Sequence, residues 1–260
     1  MPARHDLRGL DDLRHGLSLP CFGEGVDAAT VAHWAAAAEA AGWDGFFLWD
    51  HVAYRDPSHP VADPWVTMAA ITVRTERLVT GPLVTPLARR RMHQLARETV
   101  TLDRLGGGGR LVLGVGAGSE NTPEFRPERF GEEPDMRVRG RLLDEGLERL
   151  AAYWGGEFEP RPAGRIPVWV AARWPNRKPL RRAARCDGLF PIEQESPDQL
   201  AEMVAAVAEL RGTLDGFDVV VTNPAGTDPQ PWADAGATWC LTGFGPAPAA
   251  AEVRAAISSG

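Results

Sequence analysis

Short runs of β-favouring residues alternate with longer stretches of helical periodicity along nearly the whole chain. That alternation restricts the possible folds severely. Strands are expected over 15–20, 43–49, 78–84, 110–115, 166–171, 188–191, 217–222 and 238–242. Helices are expected between them. Val31, Trp34, Ala35 and Ala38 recur at i, i+3, i+4 and i+7, which sets them on one helical face. Met92, Leu95, Ala96, Thr99 and Leu102 repeat the pattern, as do Leu200, Met203, Val204, Val207 and Leu210. The last of these helices opens with Ser196, Pro197 and Gln199, an N-cap, first-turn proline and capping-box arrangement. The runs 45–49 and 111–115 are apolar on both faces, as in parallel strands covered by helices. Eight such units predict a single-domain α/β protein, a (β/α)8 TIM barrel over residues 15–260 preceded by a charged tail over 1–14. An open doubly wound sheet is the competing architecture.

Bulk properties agree with one barrel. The 260 residues are close to the roughly 250 typical of that fold. A formal net charge of −7 gives no electrostatic support for a nucleic-acid or acidic-membrane partner. The basic residues are arginines apart from Lys178, so a Schiff-base lysine could stand at one position only. Cys21, Cys186 and Cys240 are dispersed and fit no metal-ligand spacing, which suggests reduced thiols and a cytoplasmic location. No metal site, signal peptide or membrane span is expected.

In such a barrel the site lies at the C-terminal ends of the strands. Those ends carry Cys21-Phe22, Asp50-His51, Thr85-Pro86, Gly116-Ala117-Gly118-Ser119, Ala172-Arg173-Trp174, Glu193, Asn223 and Gly243-Phe244. Neighbouring side chains on a strand point to opposite faces, so Asp50 and His51 should not pair with each other. One of them can face the mouth as acid, base or hydrogen-bond donor. Glycines in 114–118 let backbone N–H groups approach an anion, each bond to a charged oxygen contributing roughly 1.5–3 kcal/mol. The spacing is not that of a Rossmann fingerprint, because Asn121 stands where its third glycine would be. Arg173 and the backbone of Ala172 are better ligand candidates than Arg181, Arg182 and Arg185, which suit a solvated helix face. Gly81-Pro82 inside the third strand predicts a bulge or a cis bond, since a closed barrel has no edge to accommodate proline.

These segments, from Gly16 to about Glu193, together resemble the bacterial luciferase-like family of flavin-dependent oxidoreductases, which includes members that use the deazaflavin coenzyme F420. The similarity rests on 40–47, Asp50-His51, Asp63-Pro64-Trp65, 75–86, 95–98, 102–105, 109–118, 141–146, 166–171 and 183–188 in this order. The resemblance implies a non-prolyl cis peptide near Pro82-Leu83, with Gly81-Pro82 as the prolyl alternative, backing a flavin-type ring. It implies cofactor contacts from Asp50, Gly81, Pro82, Leu83, Gly116, Ala117, Gly118, Ser119, Ala172 and Arg173. His51 would be the catalytic proton donor or acceptor, and Phe22, Trp174 and Glu193 would face a small-molecule substrate. A homodimer is also implied.

Two departures stand out. Ser119 occupies the place of a catalytic glutamate found in some deazaflavin sugar dehydrogenases, which leans the cofactor toward FMN over F420. The long substrate-binding insertions of larger members are missing. The expected chemistry is hydride transfer, or oxygenation if the cofactor is FMN, with the protein positioning the ring and excluding water. A phosphometabolite isomerase or lyase on the same barrel and a non-catalytic flavin-binding barrel are the alternatives.

Overall fold

The computed structural model describes residues 13–23, 26–54, 60–119 and 122–259. Residues 1–12, most of the expected tail, lie outside that set, and Arg14 already belongs to the first strand.

The strands are β1 (Arg14–Leu19), β2 (Gly45–Leu48), β3 (Val79–Pro82), β4 (Thr85–Pro86), β5 (Leu113–Gly116), β6 (Val168–Ala172), β7 (Gly188–Pro191), β8 (Asp218–Asn223) and β9 (Trp239–Gly243). Around them run α1 (Ala28–Ala40), α2 (Pro64–Arg74), α3 (Met92–Leu105), α4 (Pro127–Phe130), α5 (Met136–Ala152), α6 (Arg177–Ala183), α7 (Pro197–Arg211), α8 (Gln230–Asp234) and α9 (Ala250–Ile257). The sheet order is β3-β2-β1-β9-β8-β7-β6-β5-β4, with every ladder parallel.

The two ends of that order are consecutive pieces of one strand. β3 pairs with β2 and β4 with β5, and the chain between them carries a cis peptide at Leu83-Val84. The expected irregularity is therefore real but falls one bond later than Pro82-Leu83, and Gly81-Pro82 is not cis. Its location follows from the pairing: Pro82 remains in register with Leu48, so the break comes after it. Thr80 also bridges Leu111, donating its N–H to the Arg110 carbonyl at 2.8 Å and accepting from Val112 N–H at 3.0 Å. The ring is thus closed by hydrogen bonds on both sides, and the (β/α)8-type barrel replaces the open-sheet alternative.

Other boundaries moved by a few residues. Trp43 lies outside β2, and β5 starts at Leu113 because residues 110–112 serve the Thr80 bridge. α5 ends in a wider turn at Tyr153–Glu157. Ser196 does cap α7, accepting from Gln199 N–H at 3.2 Å, while the Gln199 side chain accepts from Glu195 N–H at 2.9 Å.

Two apolar regions hold the barrel. Between strands and helices lie residues such as Leu17, Leu19, Met68, Ile71, Leu113, Val170, Leu189 and Val207. Inside the ring lie Phe47, Leu83, Val112, Trp169, Phe190, Val220, Trp239 and Leu241. Phe47, Trp169 and Trp239 meet with ring centroids 5.4–5.6 Å apart. Such large rings fit because Gly45 and Gly188 face them: an added Cβ would lie 2.6 Å from Phe47 and 2.4 Å from Trp169. Among the described residues no helix is long and apolar enough to cross a membrane.

The tightest backbone approach is at the broken strand. A Cβ on Gly81 would sit 2.0 Å from the Val112 carbonyl oxygen, with no flexible side chain to give way. Gly81→Ala is expected to lower the unfolding free energy by about 3 kcal/mol. Gly140→Ala, within α5 and meeting nothing within 4 Å, should be stabilising by about 0.5 kcal/mol. Urea titration of the two variants checks both values.

Candidate active site

The strand order places the predicted site residues on consecutive sectors of the rim. Asp50 and His51 follow β2, Leu83 lies in the β3–β4 break, and Gly116–Ser119 end β5. Ala172, Arg173 and Trp174 end β6, and Glu193 follows β7. Phe22 closes the arc on the β1 side, where it bridges Val61.

Asp50 and His51 do diverge. The Asp50 carboxylate is buried and accepts from Trp65 Nε1 at 3.1 Å, Thr85 Oγ1 at 2.7 Å, Arg89 at 2.8 Å and Arg90 at 2.7 Å. Burial opposes its ionisation, but the two guanidinium groups and the two neutral donors outweigh that and hold the carboxyl below the usual range. Both oxygens are engaged within the protein, so Asp50 ties the end of β2 to α2, β4 and the 87–89 turn.

His51 turns toward the mouth side, among aromatic rings. Phe22 lies 5.8 Å from it, Tyr54 5.2 Å and Trp49 6.3 Å, centroid to centroid. Phe22 stacks on Tyr54 at 4.5 Å. Nδ1 of His51 is 3.1 Å from Oε2 of Glu124, a carboxylate only 1% exposed on the short turn Pro123–Phe125. The other Glu124 oxygen accepts from the N–H groups of Val52 and, at 3.2 Å, Ala53. Burial disfavours the Glu124 anion, yet the His51 bond, the nearby Arg89 charge and the Val52 N–H leave its carboxyl below the ordinary value.

The glycine turn after β5 is built into the same unit. Gly118 has φ +79°, and a Cβ there would lie 2.2 Å from the Phe125 ring. Arg139, buried on α5, donates to the Ala117 carbonyl at 3.1 Å and stacks over Phe125 at 3.9 Å. Gly116 also faces close neighbours, its would-be Cβ lying 2.9 Å from Val84 and 3.4 Å from Ala171. Ser119 is exposed, and its carbonyl accepts from Thr122 Oγ1 at 3.1 Å. On the far side of the arc Arg173 pairs with Glu193 at 2.6 Å, both exposed, with Glu193 at φ +56°. Trp174 is half-buried under Arg177, whose guanidinium is 4.7 Å from the ring. Ala172 is buried, its carbonyl bonded to Ile192 N–H at 2.8 Å. Gly81 and Pro82 lie against the β5 side of the ring, where Pro82 O would be 2.3 Å from a Cβ on Gly114.

Strand alternation identifies what lines the mouth. Inward positions one step above the ring interior are Ser18, Trp49, Gly116, Ala171, Ile192, Thr222 and Gly243, with Leu83, Phe190 and Leu241 beneath them. This mainly apolar layer, small along β1, β5, β6, β8 and β9 and walled by Trp49 and Ile192, lies over an apolar floor and suits a planar ring system. The buried hydroxyl of Thr222 has no hydrogen-bond partner among the described residues, so this layer also holds an unused donor and acceptor. The residues present therefore fit a flavin-type cofactor. By contrast, a cavity of about 630 Å³ lies between α5, the 153–157 turn and the starts of β6 and β7, at the opposite end of the barrel.

Glu124 and Arg139 escaped the sequence reading. Glu124 sits in an irregular segment where a carboxylate is normally solvated. Arg139 left a signal: it shares its helical face with Leu143, Gly146 and Leu150, so a cation occupies a core position of α5.

The fold and rim define a (β/α)8-type barrel that carries a histidine–carboxylate pair and a glycine turn at the C-terminal ends of its strands. The chain belongs to the luciferase-like monooxygenase family, whose model matches residues 15–242. It is similar to the F420-dependent glucose-6-phosphate dehydrogenase of Microbacterium testaceum, 31% identical over 185 residues, or 64% of this chain and 53% of that relative. The chain thus spans about half the length of that protein. An uncharacterised protein of Mycobacterium tuberculosis is 27% identical over 269 residues, covering 89% of this chain and 92% of the relative. Among solved structures, an F420-dependent secondary alcohol dehydrogenase in complex with an F420–acetone adduct superposes with TM-score 0.76 at 16% identity, over 95% of this chain and 96% of that one. The FMN complex of the oxygenating constituent of 3,6-diketocamphane monooxygenase from Pseudomonas putida gives 0.67 at 16% identity, over 82% and 67%. At these identities the structural matches show the shared fold.

Asp50 supports a prediction about stability. Its folded pKa is depressed, so the unfolded chain binds the proton more readily, and stability falls as pH drops below about 4. Asp50→Asn leaves Arg89 and Arg90 facing a neutral group and should cost about 3–5 kcal/mol at pH 7. Denaturant titrations between pH 7 and pH 3 should show the difference from the parent narrowing only at the acid end.

Proposed function

We propose that this protein is an F420-dependent oxidoreductase that exchanges a hydride with a small alcohol or carbonyl compound held over the barrel mouth. The observation that carries the reading is the His51–Glu124 pair standing at the rim beside the glycine turn, next to a mainly apolar inward layer. Family membership supports oxidoreduction, and the names of several sequence relatives support F420 over FMN. This reverses the inclination toward FMN drawn from Ser119, since Glu124 supplies a buried carboxylate from five residues further along.

Gly116, Ala117, Gly118, Ser119 and Arg173 would hold the anionic tail, and Leu83 and its neighbours would back the ring. When bound, a deazaflavin supplies two-electron hydride chemistry. The protein's own part is to orient the substrate, exclude water and manage one proton. Phe22, Tyr54 and Trp49 shield His51 on its aromatic side. Nε2, the ring nitrogen not facing Glu124, takes a proton from a substrate hydroxyl in oxidation or returns it in reduction.

Absorbance titrations of the purified protein with F420 and with FMN test the cofactor, followed by assay against secondary alcohols and sugar phosphates. Saturable F420 binding and loss of its oxidised absorbance with one of these donors are expected. Uptake of FMN alone would sink the F420 assignment, and binding that no donor reduces would favour a non-catalytic barrel. His51→Ala should retain cofactor affinity while turnover falls by about 10²–10⁴.

A further inference from the structure

We infer that Glu124 is a positioning residue that fixes the tautomer of His51, placing the proton on Nδ1 and leaving Nε2 bare to act as the base. The inference rests on the oxidoreductase reading for its catalytic meaning, but its structural content stands apart from any cofactor.

The argument is one of donors and acceptors. Oε1 of Glu124 is committed to two backbone N–H groups, those of Val52 and Ala53. Oε2 faces Nδ1 of His51 at 3.1 Å. An ionised carboxylate only accepts, so Nδ1 must donate and a neutral His51 carries no hydrogen on Nε2. The surroundings keep Glu124 ionised, as the depressed carboxyl and the proximity of Arg89 indicate. The same carboxylate grips three successive residues, 51 to 53, so the imidazole and the backbone beneath it move as one body. Phe125, the next residue, packs between Gly118 and Arg139, which anchors Glu124 to the glycine turn. A proton accepted at Nε2 gives an imidazolium that the buried anion stabilises.

Glutamine at 124 makes the inference sharp. Val52 and Ala53 N–H groups require an oxygen, so the carboxamide must direct its carbonyl there and its NH2 toward His51. Nδ1 then becomes an acceptor and the hydrogen moves to Nε2. Glu124→Gln is nearly isosteric, yet it inverts the tautomer and removes the base.

Long-range ¹H–¹⁵N spectra of the full-length protein at pH 8, without added cofactor, read this directly; the His51 signals are identified by their loss in His51→Gln. The parent is expected to show a protonated Nδ1 and an unprotonated Nε2, and Glu124→Gln the reverse. With cofactor and substrate present, Glu124→Gln should lose kcat by up to about 10⁴, the scale of a wrong-tautomer histidine, with KM nearly unchanged. Glu124→Asp should recover part of the activity. A parent His51 with its hydrogen on Nε2 would overturn the inference, and so would a Glu124→Gln protein that keeps the parental tautomer. The parental spectrum decides the matter even if the variant does not fold. A protein that shows the expected tautomer but binds no deazaflavin would sink the proposed activity and leave this assignment standing.

Discussion

A parallel barrel must satisfy the backbone groups of every strand on both sides, and here one strand does so in two pieces. β3 completes the ladder of β2, β4 completes that of β5, and the Thr80–Leu111 bridge joins the two neighbours across the break. Every sector of the rim takes its position from that closure. Without it the end of β2, which carries His51, and the end of β5, which carries the glycine turn, would not be separated by a single strand. The close contact of Gly81 with Val112 shows how little room the arrangement leaves.

Two buried carboxylates then divide the work beside the break. Asp50 is saturated by Arg89, Arg90, Thr85 and Trp65 and draws the layers together beneath the rim. Glu124 faces upward from an irregular turn and orders the segment that bears the histidine. Buried ions of this kind are expensive unless every oxygen has a donor, and in both cases the donors are present. Arg89 links them, bonding Asp50 directly and lying close enough to Glu124 to help keep it charged.

Family membership and rim geometry meet at the mouth. The family assigns the chain to oxidoreductases that work with flavin-type cofactors, and the rim offers a mainly apolar inward layer over an apolar floor with a histidine at one edge. Neither identifies an organic substrate, because the same barrel and cofactor serve many chemistries. Oxidoreduction follows from family membership.

Much of the fold was legible in the sequence. The order of strands and helices, the cap at Ser196, the divergence of Asp50 from His51 and the anomaly at Gly81-Pro82 all follow from local rules: side-chain periodicity, capping chemistry and the missing N–H of proline. Local rules also set their own limit. The family resemblance implied the irregular bond one residue early, because its location depends on which residues of the third strand remain paired with β2, a pairing that local rules do not fix. They missed Glu124, 73 residues from His51 along the chain, because no periodicity marks an acid in an irregular turn as buried. The sequence by itself determined which segments become strands and helices and which residues end them, since those depend on neighbours within a few positions. Only the tertiary structure decided that a distant carboxylate would meet the histidine, since that depends on ring closure bringing the ends of β2 and β5 to the same rim.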